Sequence, residues 1–80
     1  MLEDLTTDKK VIGIKQSQKA VEDGEAGKAF VALDCEDNVK QPFLNLCRIN
    51  NVQVVMAESM EQLGQACGIS VGAAVAVILL

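Results

Sequence analysis

The residues best equipped for chemistry lie in one short basic stretch, Lys9 to Lys19. It holds four of the seven basic residues of the chain and no acidic one. The remainder of the sequence is neutral or acidic, and the formal net charge is -4. A single basic stretch in an acidic protein indicates a surface that faces an anionic partner.

Within this stretch, residue types and spacing favour a phosphate site. Gly13 lets the chain turn from a short strand into a helix, whose exposed first amides carry about half a positive charge. Lys15 and Lys19 lie one helical turn apart and add two charges on the same side. Gln16 and Gln18 have amide groups that can donate to or accept from a base edge. From these residues alone, a solvated helix face is an equally open explanation.

A second candidate segment is the loop Gly68-Ile69-Ser70-Val71-Gly72. Its two glycines allow the backbone to approach a ligand closely, and at least one of Ile69 and Val71 could face solvent. The alternative is that both apolar side chains pack beneath the end of the preceding helix. The sequence leaves both possibilities open.

Catalysis is poorly supplied. The chain has no His, no glycine-rich phosphate loop and no metal-ligand cluster, so we predict neither an enzyme nor a cofactor or metal site. The acidic runs Glu22 to Glu25 and Asp34 to Asp37 lie at predicted turns, where solvation explains them. Cys35, Cys47 and Cys67 match neither a redox pair nor a zinc site, and we expect buried thiols in a reducing compartment.

Size and hydropathy predict one domain over residues 1–80. An 80-residue chain is near the lower limit for a stable core, and the only aromatic residues are Phe30 and Phe43, so aliphatic side chains must fill that core. Residues 69–80 are apolar but too few to cross a bilayer, which requires about 20 residues. We find no export signal at the start of the sequence, and we expect a cytoplasmic protein without a membrane partner.

Hydrophobic patterning places these candidate sites on alternating strands and helices. Uninterrupted apolar strands are typical of a sheet covered by helices on both faces, which is an α/β fold. The predicted elements are a helical segment over Met1–Thr7, a strand at Val11 and Ile12, a helix from Lys15 or Gln16 to Asp23 that ends at Gly24, a buried strand over Ala29–Leu33, a helix marked by Val39, Phe43, Leu46, Cys47 and Asn50, a buried strand over Val52–Ala57, a helix over Met60–Cys67 and a strand over Ala73–Leu79.

Three local details of the helices are also predicted. The first helix should bury Ser17, Ala20 and Val21. Pro42 should lie in the first turn of the second helix, where its missing N–H does no harm. Ser59 should cap the third helix as part of a capping box with Gln62, and Gly68 should end it.

Two motifs together resemble a known family. Gly13-Ile14-Lys15-Gln16-Ser17-Gln18-Lys19-Ala20 and Leu63-Gly64-Gln65-Ala66-Cys67-Gly68-Ile69-Ser70-Val71-Gly72-Ala73-Ala74 are similar to the kink-turn RNA-binding ribosomal proteins of the archaeal L-seven-Ae type, and most similar to the short bacterial YbxF-like members. The resemblance spans nearly the whole chain. It implies a three-layer α-β-α sandwich with a mixed four-stranded sheet. It also implies that the helix start reads tandem sheared G·A pairs and that the loop contacts the kink.

Carried over by position, the resemblance implies RNA contacts from two segments. Lys15 and Gln16 stand where archaeal members have Asn and Glu, and a glutamine accepts from a guanine edge without the charge that strengthens such a bond. The segment Glu22-Asp23-Gly24-Glu25 and Gln65 occupy positions where relatives often have Lys or Arg, which should weaken phosphate attraction. The implied RNA-binding residues are Gly13, Ile14, Lys15, Gln16, Lys19, Ile69, Ser70, Val71, Gly72 and Ala73.

The function expected from this resemblance is recognition of a structured kink-turn RNA by a monomer, with ribosomal RNA, the ribosome and a riboswitch-like element as candidate partners. The chain has no Tyr or Trp with which to stack unpaired bases, which also favours recognition of shape. An alternative is an acidic protein-interaction or ribosome-associated assembly module with weakened RNA binding. A thiol-dependent enzyme would require a cysteine of depressed pKa.

Overall fold

A computed structural model describes residues 2–80 of the chain. The predicted N-terminal helical segment is a 3-10 helix, and its first predicted residue, Met1, lies outside the described range. The elements are the 3-10 helix Leu2–Thr6, β1 Lys10–Ile12, α1 Ile14–Glu22, β2 Ala26–Ala32, α2 Asp37–Ile49, β3 Val54–Ala57, α3 Met60–Cys67 and β4 Val75–Leu79.

The four strands form one mixed sheet in the order β1-β4-β2-β3. β4 pairs antiparallel with both β1 and β2, whereas β2 and β3 are parallel and connected through α2. Residues 29–32 of β2 and 75–77 of β4 are buried. Apolar side chains that point alternately to both faces of these central strands require a cover on each face.

Helices provide that cover on both faces of the sheet. α1 and α2 pack beside each other on one face, and α3 packs with the 3-10 helix on the other. The largest buried side chains are Phe30, Phe43, Leu5 and Leu63, and the rest of the core is mainly aliphatic. The predicted three-layer α-β-α sandwich with a mixed four-stranded sheet is therefore confirmed.

The first and third helices follow the sequence closely. α1 begins and ends within about a residue of the predicted limits and buries Ser17, Ala20 and Val21 as predicted. α3 has the predicted limits, and the Ser59 Oγ accepts a hydrogen bond from the Gln62 N–H at 3.0 Å. Gly68 ends the helix in the left-handed conformation.

The predicted position of Pro42 is wrong. α2 begins at Asp37, so Pro42 lies in its second turn. A proline there leaves the carbonyl of Asn38 without its usual helical donor. Both residues are exposed, so that carbonyl can accept from water, and the helix continues to Ile49.

Strand boundaries and burial also depart from prediction. β2 begins at Ala26, before Gly27, and ends before Leu33, whose side chain is 51% exposed. β3 is shorter than predicted and only partly buried, because it is the edge strand beside β2. β4 begins two residues after Ala73. These strands are apolar in sequence whether they are central or at the edge, so the sequence pattern does not distinguish the two positions.

Candidate functional site

The start of α1 is open. Gly13 has φ +101° and ψ 163°, a conformation that is essentially restricted to glycine, and it positions the helix directly after β1. Its N–H donates to the carbonyl of Val75 at 3.1 Å, and its carbonyl accepts from the Ser17 N–H at 3.1 Å. No side chain caps the helix, and the amides of residues 14 to 16 have no acceptor within residues 2–80. These amides are available to an anion.

The two lysines of the helix start are also available. Lys15, Gln16 and Lys19 are exposed, and no carboxylate of residues 2–80 lies within 4 Å of either ammonium group. By contrast, the Nζ of Lys28 forms an ion pair with Asp4 at 3.0 Å. The predicted arrangement of free amides flanked by two cations is therefore present at the start of α1.

The loop after α3 exposes one apolar side chain, Val71, and partly buries the other, Ile69. Ile69 packs against the core, and its N–H donates to the carbonyl of Gly64 at 3.1 Å. Val71 is 68% exposed. Ser70 and Gly72 are also exposed. The sequence left open whether these side chains face solvent or pack beneath the end of the helix. Val71 faces solvent, whereas Ile69 packs against the core.

Close backbone packing fixes this loop on α3. A Cβ at Gly64 would overlap the carbonyl oxygen of Val71, so only glycine admits the loop at this distance. The Ala73 N–H donates to the carbonyl of Met60 at 3.0 Å. Ala73 is itself buried, so this predicted contact residue holds the loop in place and presents little side-chain surface.

The sheet brings the two predicted segments to the same edge. The hydrogen bond from Gly13 to Val75 joins the end of β1 to the start of β4. Ala73 precedes Val75 by two residues, which span at most about 7 Å. More than forty residues separate the two motifs in sequence, yet they adjoin in space.

The start of α3 lies at the same edge, and two of its first amides donate to side chains of the protein. Asp34 follows β2, and its Oδ1 accepts from the Met60 N–H at 2.8 Å, while the Ser59 Oγ accepts from the Gln62 N–H in the same first turn. Glu58 and Glu61 are exposed beside it. The sequence predicts the Ser59 cap but not the carboxylate of Asp34, since nothing local in the sequence places residue 34 next to residue 60.

The structure contains a groove beside α1 that the sequence does not predict. It has a volume of about 430 Å³ and lies between α1 and the end of the sheet formed by β1 and β4. We call this cavity the α1 groove. Its residues are Val11, Lys15, Gln16, Lys19, Ala20, Glu25 and Leu79. Three of them, Lys15, Gln16 and Lys19, belong to the predicted site, but no sequence signal brings Glu25 and Leu79 to it.

The cysteines are buried and unpaired, as expected. Burial raises the pKa of the Cys35, Cys47 and Cys67 thiols, which is opposite to the depressed pKa that a nucleophilic cysteine requires. Within residues 2–80, no three acidic or cysteine side chains converge as a metal site would. In that range we also find no helix of sufficient length and apolarity to span a membrane.

Comparison with known proteins gives a consistent family match. Residues 2–79 match the family described as ribosomal protein L7Ae/L30e/S12e/Gadd45. RNA-binding protein YbxF of Geobacillus stearothermophilus is 40% identical over 75 residues, which cover 94% of this chain and 92% of that protein. RNA-binding protein TTE2299 of Caldanaerobacter subterraneus subsp. tengcongensis is 37% identical over 68 residues, which cover 85% of this chain and 83% of that protein.

A solved structure extends the likeness to three dimensions. The Giardia lamblia 15.5kD RNA binding protein superposes with a TM-score of 0.88 at 25% identity. The superposition covers 99% of this chain and 68% of the Giardia chain.

Proposed function

This chain belongs to the ribosomal protein L7Ae/L30e/S12e/Gadd45 family, and we propose that it binds a structured RNA containing a kink-turn. The observation that carries the proposal is the meeting of two distant segments at one sheet edge. There, a helix start without a side-chain cap adjoins a loop with an exposed Val71, and its Lys15 and Lys19 pair with no carboxylate of residues 2–80. Phosphates suit the first surface, and the apolar loop suits a sugar or base face.

Similarity to named RNA-binding proteins supports this proposal. The two bacterial relatives and the Giardia protein are described as RNA-binding, and each likeness covers at least 85% of this chain. A protein that acts by binding RNA needs no catalytic group, and we propose that this chain is not an enzyme. We further propose that it acts in the cytoplasm as a monomer, on a ribosomal or riboswitch-like RNA.

Each part of the site has a proposed role. Gly13 turns the chain so that the amides of residues 14 to 16 face a phosphate. Lys15 and Lys19 neutralise neighbouring phosphates, and Gln16 accepts from a guanine edge of the sheared G·A pairs. The loop from residue 69 to residue 73 contacts the kink.

The proposal is tested with a gel shift on a kink-turn RNA and a matched duplex. In the duplex, the sheared G·A pairs are replaced by Watson–Crick pairs. We expect the replacement to abolish the shift, because it removes the kink and the exposed guanine edges together. Equal binding to the two RNAs would reject kink-turn recognition.

Salt dependence provides a second measure of the same site. A site that neutralises about two to four phosphates should lose affinity with a log–log slope between about -1.5 and -3.5. We expect this range when the gel shift is repeated at several salt concentrations. A slope near -10 would indicate a much larger basic surface than α1 provides.

A second candidate function is a protein-interaction module. The observation that favours it is the exposure of Leu33 and Val71 at an edge that also has exposed Glu58 and Glu61. The double substitution Lys15→Ala and Lys19→Ala separates the two functions. RNA recognition should be lost in this variant and retained in Lys9→Ala, which removes a cation of the same basic stretch outside the groove. A protein partner captured equally by all three chains would favour the interaction module.

A further inference from the structure

The α1 groove has an apolar floor with room for a small planar group. Val11 and Leu79 come from the neighbouring strands β1 and β4, and Ala20 comes from α1. The volume of about 430 Å³ falls in the range of about 300–1,000 Å³ that ligand pockets occupy. The floor offers no aromatic ring, so a base would lie against aliphatic side chains.

One rim of the groove is cationic. Lys15, Gln16 and Lys19 line it from α1, and neither ammonium group is within 4 Å of a carboxylate in the described part of the chain. The two lysines lie on successive turns of the same helix face, so they can contact one phosphate from two sides. This rim therefore suits the phosphate of a nucleotide.

The far end of the groove has a carboxylate. The N–H of Glu25 donates to the carbonyl of Ala20 at 2.9 Å, and its carbonyl accepts from the N–H of Leu80 at 2.9 Å. These bonds hold the backbone of Glu25 just beyond Glu22, the last residue of α1. Glu22 lies seven residues, or about 10.5 Å of helix axis, from Lys15, and three residues, or about 4.5 Å, from Lys19. Cations and an acceptor-only group thus lie about one nucleotide apart in the same groove.

We propose that the α1 groove holds one unstacked guanine nucleotide. Its phosphate lies at Lys15 and Lys19, its base lies on the apolar floor, and Glu25 accepts from its Watson–Crick edge. Guanine is the only standard base with two adjacent N–H donors on that edge. Adenine, cytosine and uracil each present an acceptor next to a donor, and that acceptor would face the carboxylate oxygens unfavourably. Glu25 therefore gives the groove its specificity.

A free guanine nucleotide and an unpaired guanosine of the bound RNA share this chemistry. The second source rests on the proposed RNA-binding function, because the RNA must bring the guanosine to α1. The first source does not, because GMP can enter the groove from solution. The two sources are separated by testing mononucleotides and RNA in parallel.

The first arm is an NMR titration of the ¹⁵N-labelled full chain with GMP, AMP, CMP, UMP and inorganic phosphate. We expect GMP to shift the amides of Val11, Ala20 and Glu25 and to bind at least about fivefold tighter than AMP, as one bidentate base contact provides. Glu25→Gln should abolish that preference, since an amide can serve adenine as well as guanine. Glu22→Gln removes the same charge outside the groove and should retain it.

The second arm uses a kink-turn RNA with no tail, a single-stranded guanosine tail or an adenosine tail. We expect the guanosine tail alone to strengthen binding by about fivefold, and this gain should disappear in Glu25→Gln but not in Glu22→Gln. The two variants should bind the tailless RNA equally, because each loses one negative charge.

The outcomes distinguish this inference from the proposed function. Equal affinities for GMP and AMP, together with no effect of tail identity on an RNA that does bind, would overturn the groove assignment alone. Failure of the tailless RNA to bind would overturn kink-turn recognition while leaving the GMP result to decide the groove. A GMP preference that depends on Glu25, without a gain from the guanosine tail, would assign the groove to a free nucleotide.

Discussion

Two helix starts at the same edge of the sheet are built in opposite ways. α3 begins with its amides bonded to Ser59 and to Asp34, and it has Glu61 in its first turn. α1, of similar length, begins with uncapped amides and has Lys15 in its first turn. A negative side chain at a helix start stabilises the helix, and a positive one opposes its dipole. The capped amides at the start of α3 therefore stabilise the protein, whereas the uncapped amides and Lys15 at the start of α1 lower its stability.

The buried faces of the two helices differ in the same sense. α3 buries Leu63, Gly64 and Cys67, which place no side-chain oxygen in the core. α1 buries Ser17, whose hydroxyl has no hydrogen-bond partner among residues 2–80. Both differences are expected if the start of α1 binds a partner outside the chain, as proposed above. Four variants, the first of them a double substitution, test this interpretation in order of decreasing expected effect.

Removing the two side chains that bond to the first amides of α3 should have the largest effect on stability. In Ser59→Ala with Asp34→Ala, α3 loses a cap worth about 1 kcal/mol and a charge-assisted hydrogen bond worth about 1.5 kcal/mol. We expect the free energy of unfolding to fall by about 2.5 kcal/mol in urea denaturation. Kink-turn RNA affinity should not fall, because neither side chain lies at the α1 start. A substantial loss of RNA affinity would show that both helix starts serve the same site.

Straining the open start should have the next largest effect. Gly13→Ala adds a Cβ that meets no atom within 4 Å. The substitution should therefore destabilise the protein only through backbone strain at φ +101°, by about 1.5 kcal/mol. We expect a loss of both stability and RNA affinity, because the free amides move with Gly13. Gly24→Ala, at φ +74° at the other end of α1, serves as the control. It should lose stability but keep RNA affinity.

Removing the buried hydroxyl should raise stability. Ser17→Ala keeps a small side chain in the core and deletes an oxygen without a partner, which should gain about 1 kcal/mol in the free energy of unfolding. Thermal denaturation would measure the gain as a higher Tm. An unchanged or lower Tm would show that this hydroxyl is satisfied in solution, and that the core of α1 is no less optimised than that of α3.

Adding a carboxylate to the open start should have the smallest effect. Gln16→Glu places a negative charge in the first turn of α1, which should stabilise the protein by about 0.5 kcal/mol at low salt and less at high salt. The same change should strengthen the proposed bond to a guanine edge. Gln18→Glu, two residues further from the helix start, should give less of both effects. Equal effects from the two substitutions would argue against a special helix start.

The sequence predicts the features that depend on local chemistry. The cap at Ser59, the end of α3 at Gly68 and the buried face of α1 follow from residue types and helical spacing, and all are confirmed. Family likeness predicts the mixed sheet, which periodicity alone leaves unspecified.

Features that depend on which residues are neighbours in space cannot be predicted from the sequence. The partial burial of β3 follows from its place at the sheet edge, and strand order cannot be deduced from an apolar run. Pro42 is tolerated inside α2 because its side of the helix faces solvent. The α1 groove combines Val11, Glu25 and Leu79, which only the pairing of β1 with β4 and the turn after α1 bring together.

The missing side chain at Gly64 has a mechanical consequence. The Val71 carbonyl packs directly against α3, and the Ala73 N–H donates to the Met60 carbonyl. We therefore expect the loop and α3 to move as one unit. The amide of Met60 reaches Asp34 in turn. A ligand that contacts Val71 should therefore also restrict the segment around Asp34, which leads into α2. Amide hydrogen exchange at Met60 should slow when a ligand binds the loop.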